Sequence, residues 1–347
     1  MELLSHAALP ERILDEAALE DLMTTPTAAL VRDLETVDGD LLILGVGGKM
    51  GPTLARLAKR ATPERRVIGV ARFTDAGLEA RLQRDGIETI RADLLDRDAL
   101  ARLPKAANVV FMAGRKFGTS GDPDLTWAMN VQLPGMVAET FRDARIVAFS
   151  TGNVYPFVPV ASGGADETLE ALPPPGEYAN SCLGRERMFE HYSKRCGTPG
   201  RIIRLNYAID LRYGVLADVA RKVLAGEAID LGMGHVNVIW QGDANAMALR
   251  ALRHCTTPTS PLNVTGPETL SIRWLALTFA RRFGRAPVLE GSEAPTALLN
   301  NAQAAFDLLG YPTVPLARMI GWVADWTLQG GASLDKATHY DVRDGRY

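Results

Sequence analysis

Short apolar runs alternate along the chain with longer segments whose apolar residues recur every three or four positions. The first run, residues 40–45, breaks directly into glycines and a helix-like stretch at 50–60. Further apolar runs at 66–70, 89–91, 108–113, 145–150 and 201–205 predict strands. Helix-patterned segments at 75–84, 98–103, 125–141 and 178–195 lie between them. Strands regularly separated by helices predict an α/β fold with a doubly wound parallel sheet covered on both faces. Beyond residue 205 the pattern loosens. Helices are expected near 216–224, 244–253, 271–283, 301–309 and 316–328, with a loop or strand at 229–240 and a short strand at 262–264. This predicts a smaller mixed α/β C-terminal lobe that closes over ligands held at the carboxyl ends of the strands. The chain divides on this reading into a helical leader (1–40), a sheet domain (41–205), a substrate lobe (206–330) and a polar tail (331–347).

Composition narrows the function classes. Apolar residues make up 47% and charged residues 23% of the 347, and the net charge of −3 is spread without blocks. This argues against a nucleic-acid face or a polybasic membrane patch. No run approaches the roughly 20 apolar residues that span a bilayer, and residues 1–10 carry no secretory pattern, so a cytoplasmic protein is expected. Three cysteines (182, 196 and 255) and five scattered histidines have no metal-ligand spacing, so free thiols and no metal site are expected.

The glycines Gly45-Val46-Gly47-Gly48-Lys49-Met50-Gly51 stand where a strand opens into a helix. Such a turn lets backbone approach a pyrophosphate and aims a helix N-terminus at its charge. The G-x-G-x-x-G pattern fails at Met50, whereas G-x-x-G-x-x-G is met by Gly45, Gly48 and Gly51. The prediction is a Rossmann-type domain binding NAD or NADP. The second strand ends in Ala71-Arg72, without the carboxylate that usually holds the ribose 2′-hydroxyl. A guanidinium suits a phosphate, which leans the reading to NADP; the alternative is a solvated surface charge. Asp93 and Leu94 follow the third strand.

Three further motifs follow in order: Phe111-Met112-Ala113-Gly114, Phe149-Ser150-Thr151-Gly152-Asn153-Val154-Tyr155 and Tyr178-Ala179-Asn180-Ser181-Cys182. Together with the glycine turn they resemble the extended short-chain dehydrogenase/reductases, the NAD-dependent epimerase/dehydratase type, over about residues 41–328. The resemblance implies Tyr178 as acid/base and Thr151 as the hydroxyl that orients the reacting oxygen. It also implies Met112, Ala113, Gly114, Asn130 and Ser150 around the cofactor, and a homodimer through the helices near 125–141 and 178–195. It departs at Cys182, which stands where the family carries the lysine of Y-x-x-x-K. The two positions share a helix face, and a neutral thiol does little to favour a phenolate. Three readings stay open. Another cation serves, Lys116 or Arg115 after the fourth strand, with Arg185 a weaker candidate. Or the reaction needs no phenolate. Or the chain is a non-catalytic dinucleotide-binding protein.

On the substrate side, Asn206, Tyr207 and Arg212 follow the sixth strand, and His235, Trp240 and Gln241 form a polar and aromatic cluster further on; Tyr155 completes the set. With no cluster of basic residues for a nucleotide diphosphate, a free sugar, sugar acid or related polyol is expected. The implied chemistry is hydride transfer at a secondary alcohol, as an epimerase, dehydratase or dehydrogenase.

Overall fold

The computed structural model describes residues 3–345 apart from 117, 120 and 337; the last two residues of the expected tail lie outside the described residues. Its frame is a seven-stranded sheet. The strands are β1 (Leu41–Leu44), β2 (Val67–Ala71), β3 (Glu88–Arg91), β4 (Asn108–Phe111), β5 (Arg145–Thr151), β6 (Gly200–Leu205) and β7 (Ser260–Val264), in the spatial order β7-β6-β5-β4-β1-β2-β3. All neighbours run parallel. The central strands β1 and β4 are buried at every position, as a sheet covered on both faces requires. The strand order reverses between β1 and β4. Crossovers leave the sheet to opposite faces there, and a crevice opens at the carboxyl ends.

Two boundaries differ from the sequence reading. The strand at 262–264, assigned to the lobe, belongs to β7: it pairs with β6, Leu262 opposite Ile203. The sheet therefore recruits a strand from beyond the lobe's first half, which no local pattern encodes. The leader, for its part, is no appendage. Its helices α1 (Glu16–Thr24) and α2 (Ala28–Glu35) pack against α3 (Gly51–Ala61) and against the helix Gln241–Arg250. Leu30 and Leu34 join the core that contains β1 and α3, and the buried Asp33 carboxylate is paired with Arg250 and Arg253.

The expected helix at 125–141 is interrupted. Pro123–Trp127 and Leu133–Thr140 flank a π-helical turn at Ala128–Gln132, next to Pro134, which has no N–H to give. Helix α4 (Glu177–Cys196) packs on this turn, with Gly184 close against Val131. Its buried Glu186 accepts three hydrogen bonds from Arg204 of β6, at 2.7, 3.1 and 3.2 Å, and one from the Ser150 hydroxyl of β5 at 2.6 Å. Both ions are almost fully buried. Removing one partner from such a pair strands a charge, at a cost of about 3–5 kcal/mol. Arg204→Met is therefore expected to lower the stability against urea by about that amount, and Arg204→Met with Glu186→Leu to recover most of it. Equal stability of the single variant and the wild type would show that the pair does not anchor α4.

Candidate active site

The glycine turn is shaped by what surrounds it. Gly45 has φ +92, and a Cβ there would lie 2.6 Å from the Ala113 nitrogen. A Cβ at Gly51 would collide with the Val46 carbonyl, so helix and strand meet at backbone distance. Gly48 differs: a Cβ there would find the Gly45 carbonyl at 3.5 Å and nothing nearer. Helix α3 starts without a side-chain cap, leaving its first N–H groups to face an anion. Three clefts border this turn, the outermost of about 770 Å³ along Gly47, Gly48 and Lys49; the two inner ones, hereafter the smaller and the larger cleft, share Gly45, Gly48 and Met112. One, of about 230 Å³, is lined by Arg72, Asp75, Asp93, Leu94, Ala113 and Gly114 among others. The other, of about 270 Å³, contains Lys49, Met50, Gly51, Lys116, Ser150, Thr151 and Tyr178. Paired clefts on either side of an uncapped helix N-terminus fit a dinucleotide.

Tyr178 and Cys182 share one face of α4, four residues apart. Burial pushes the Cys182 thiol up, so it is neutral. A cation arrives from the loop after β4. The Lys116 ammonium lies 5.9 Å from the centre of the Tyr178 ring and donates to the Thr338 carbonyl at 3.2 Å. Of the other two candidate cations, Arg115 pairs with Asp122 at 2.8 Å and the Gly118 carbonyl. Arg185 lies beneath the cavity, bonded to the Phe149 carbonyl and to Asn130. Thr151 caps the turn at the end of β5, its hydroxyl bonded within the Thr151–Asn153 turn.

A model of the NAD dependent epimerase/dehydratase family matches residues 41–261. The chain belongs to this family. Among solved structures it is similar to Pal from Bacillus thuringiensis (17% identity, TM-score 0.70, covering 84% of this chain and 99% of that one). It is similar also to UDP-glucuronic acid 4-epimerase from Bacillus cereus in complex with UDP-glucuronic acid and NAD (19%, 0.68, 84% and 99%). A third is a double mutant of the dTDP-glucose 4,6-dehydratase DesIV from Streptomyces venezuelae, with NAD and DAU bound (20%, 0.69, 83% and 97%). At these identities the likeness is one of fold. A search of curated proteins finds no match. No helix among the described residues is long and apolar enough to cross a membrane.

In this epimerase/dehydratase-family member several residues expected at the site lie elsewhere. Asn130 lines neither cleft. Its amide is spent on the backbone of Arg115 and on Ser181 and Arg185, so it holds the loop that carries Lys116. Cys182 is buried behind Tyr178, and the Ser150 hydroxyl is turned to Glu186. On the substrate side Asn206 and Tyr207 line the larger cleft, whereas Tyr155, Arg212, His235, Trp240 and Gln241 do not. Tyr155 is buried between Arg204 and Asn263. Arg212 is paired with Asp210, Glu16 and Glu20 and lines only the outer cleft beside Gly47, Gly48 and Lys49. Trp240 packs edge-on against Trp322, and Gln241 bonds Thr53 of α3. His235 pairs with Ser271 in a two-residue ladder outside the clefts.

The cleft also holds Asn153 and Thr338, outside the expected set, and Tyr213. Tyr213 sits in the polar run after β6, a signal that was present; Thr338 lies in the tail, where no pattern marks it.

Lys49 enters this cleft too, 3.8 Å above the Tyr213 ring and 3.4 Å from the Ala208 carbonyl. It therefore points to the lobe. Burial lowers Lys49 and Lys116 each to about 8. The folded protein thus holds these protons less tightly than an unfolded chain, where lysine titrates near 10.5. Folding is penalised below pH 8, and the penalty fades as pH rises from about 8 to 10.5. Lys49→Met is expected to unfold at higher urea than wild type at pH 7 and to lose that advantage near pH 10.5. A variant less stable at pH 7 would mean that the Ala208 and Tyr213 contacts outweigh desolvation.

Proposed function

We propose that the protein is an NAD(P)-dependent epimerase, dehydratase or dehydrogenase acting on a secondary alcohol of a sugar, sugar acid or related polyol. The observation that carries this reading is the Lys116 ammonium beside Tyr178. A free tyrosine titrates near 10, so its phenolate costs about 4 kcal/mol at pH 7. The ammonium lies 5.9 Å from the centre of the ring, and at roughly that separation and an effective dielectric near 20 a unit charge returns about 3 kcal/mol. Most of the deficit left by Cys182 is thereby covered from another part of the chain. Tyr178 would move the alcohol proton and Thr151 would orient the oxygen. The bound nicotinamide would supply the hydride acceptor. Among the described residues lining the larger cleft there are two lysines and no carboxylate, which favours an anionic substrate such as a sugar acid over a neutral one.

Lys116→Met is expected to lose about 100-fold in turnover, the equivalent of that interaction, while Lys105→Met, on the exposed surface, stays near wild type. The assay follows nicotinamide absorbance and product formation over a panel of sugar acids, aldoses and polyols. Equal activity of the two variants would sink the role of Lys116. No turnover on any member, with the dinucleotide bound, would favour a non-catalytic binding protein.

Arg72 is exposed on the smaller cleft and supports NADP as the cofactor. Denaturing the purified protein and identifying the released dinucleotide, followed by titration with NAD and NADP, tests this. NADP is expected to bind at least tenfold tighter than NAD, an advantage lost in Arg72→Ser, since one charge-assisted hydrogen bond is worth about that factor. A tenfold preference for NAD would refute the assignment. Failure to bind either would refute the functional reading.

A further inference from the structure

We propose that the C-terminal segment is a working part of the active site: the carbonyl of Thr338, latched by Asp218, positions the Lys116 ammonium over Tyr178. This rests on the reading of Lys116 given above.

After the helix Leu316–Leu328 the chain turns back across the lobe. The Trp326 indole donates to the Ala332 carbonyl at 3.0 Å, Arg221 to the Ser333 hydroxyl at 3.2 Å, and the Leu334 N–H to the Arg212 carbonyl at 3.1 Å. Leu334 and Lys336 overhang the outer mouth of the glycine turn, beside Gly47 to Lys49. Thr338 is buried and enters the wall of the larger cleft. Its N–H and its hydroxyl both donate to Asp218, at 3.0 and 2.6 Å. Asp218 stands in the first turn of the helix Val215–Ala225 and is itself held by Arg221 at 2.7 Å. Beyond Thr338, Tyr340 is buried in the core of the lobe. Arg343 donates to Thr296 and lies 4.2 Å from the Phe157 ring. Gly345 meets Gly176, the residue before α4. Thr338 is thus clamped from both sides, by the lobe and by the entry to the tyrosine helix.

Lys116 needs such a partner. The Arg115 backbone is held by Asn130, but a lysine side chain has four rotatable bonds and gives up rotamer entropy when it is held in one place. A carbonyl orders the ammonium without cancelling its charge; a carboxylate at the same place would hold it but neutralise its field at Tyr178. Asp218 sits one hydrogen bond further back and acts on Lys116 at longer range, and Lys49 is the nearby like charge.

The test needs no substrate. Trace acetylation of the full-length protein, read by mass spectrometry across pH, gives a limiting rate at high pH. That rate reports exposure of the amine independently of its charge. Difference absorbance against Tyr178→Phe gives the phenolate titration of Tyr178. Thr338→Val and Asp218→Ala are expected to raise the limiting rate at Lys116 about tenfold, the equivalent of one hydrogen bond. Both should move the Tyr178 titration to higher pH, and Thr338→Ser should restore wild-type values for both; Lys105 serves as the exposed control. A folded Thr338→Val protein with unchanged Lys116 acetylation and unchanged Tyr178 titration overturns the proposal. Lys116→Met separates the two layers. If it raises the Tyr178 midpoint while the latch variants do not, only the latch fails. If it leaves Tyr178 unmoved, the assignment of Lys116 fails and the latch with it.

Discussion

The tyrosine sits in the first turn of α4, so the site depends on how that helix is fixed to the sheet. The fixing point is the buried Glu186 carboxylate, saturated by Arg204 from β6 and by the Ser150 hydroxyl from β5. Buried ions are tolerated only when their lone pairs and protons are used up, and this requirement admits one placement of the helix against two strands. The neighbouring residue extends the constraint. Arg185 donates to the Phe149 carbonyl and to Asn130, and Asn130 holds the backbone of Arg115. One stretch of α4 therefore sets both the strand end that bears Thr151 and the loop that bears Lys116.

In the active site we propose, that arrangement accommodates a thiol at position 182. The field at a phenol depends on where a charge lies, not on which residue supplies it. Cys182 is buried and neutral, and it leaves the i,i+4 face of Tyr178 without a charge of its own. Lys116 approaches from the β4 loop instead. The exchange has two physical costs: desolvation, which lowers the ammonium to about 8, and the ordering of a long side chain. The Thr338 carbonyl offsets the second.

The substrate-side residues show why residue type alone misleads. Trp240, Gln241, Tyr155 and Arg212 carry the polar or aromatic groups that a sugar site uses, yet each is engaged elsewhere. Gln241 bonds Thr53 and Arg212 is paired with Glu16 and Glu20, so the docking of α1 and α3 consumes both. Tyr155 supports the Arg204 end of the ion pair. Buried polar groups must find partners, and a folded core supplies that need as readily as a ligand does.

What the sequence by itself determined is local and serial. The strand–turn–helix at residues 41–61, the G-x-x-G-x-x-G spacing, the alternation of strands and helices, and the chain order of Thr151 and Tyr178 follow from burial periodicity and glycine sterics, which act between near neighbours. The sequence left Lys116 as one of three candidate cations, because its loop carries no period that aims a side chain. The tertiary structure alone decided that residues 260–264 complete the sheet, that the leader packs into the core, and that the tail meets the cleft. Lys116 and Thr338 are 222 residues apart. Their contact is the sum of many packing choices along the sheet, the lobe and α4, and no local pattern carries that sum.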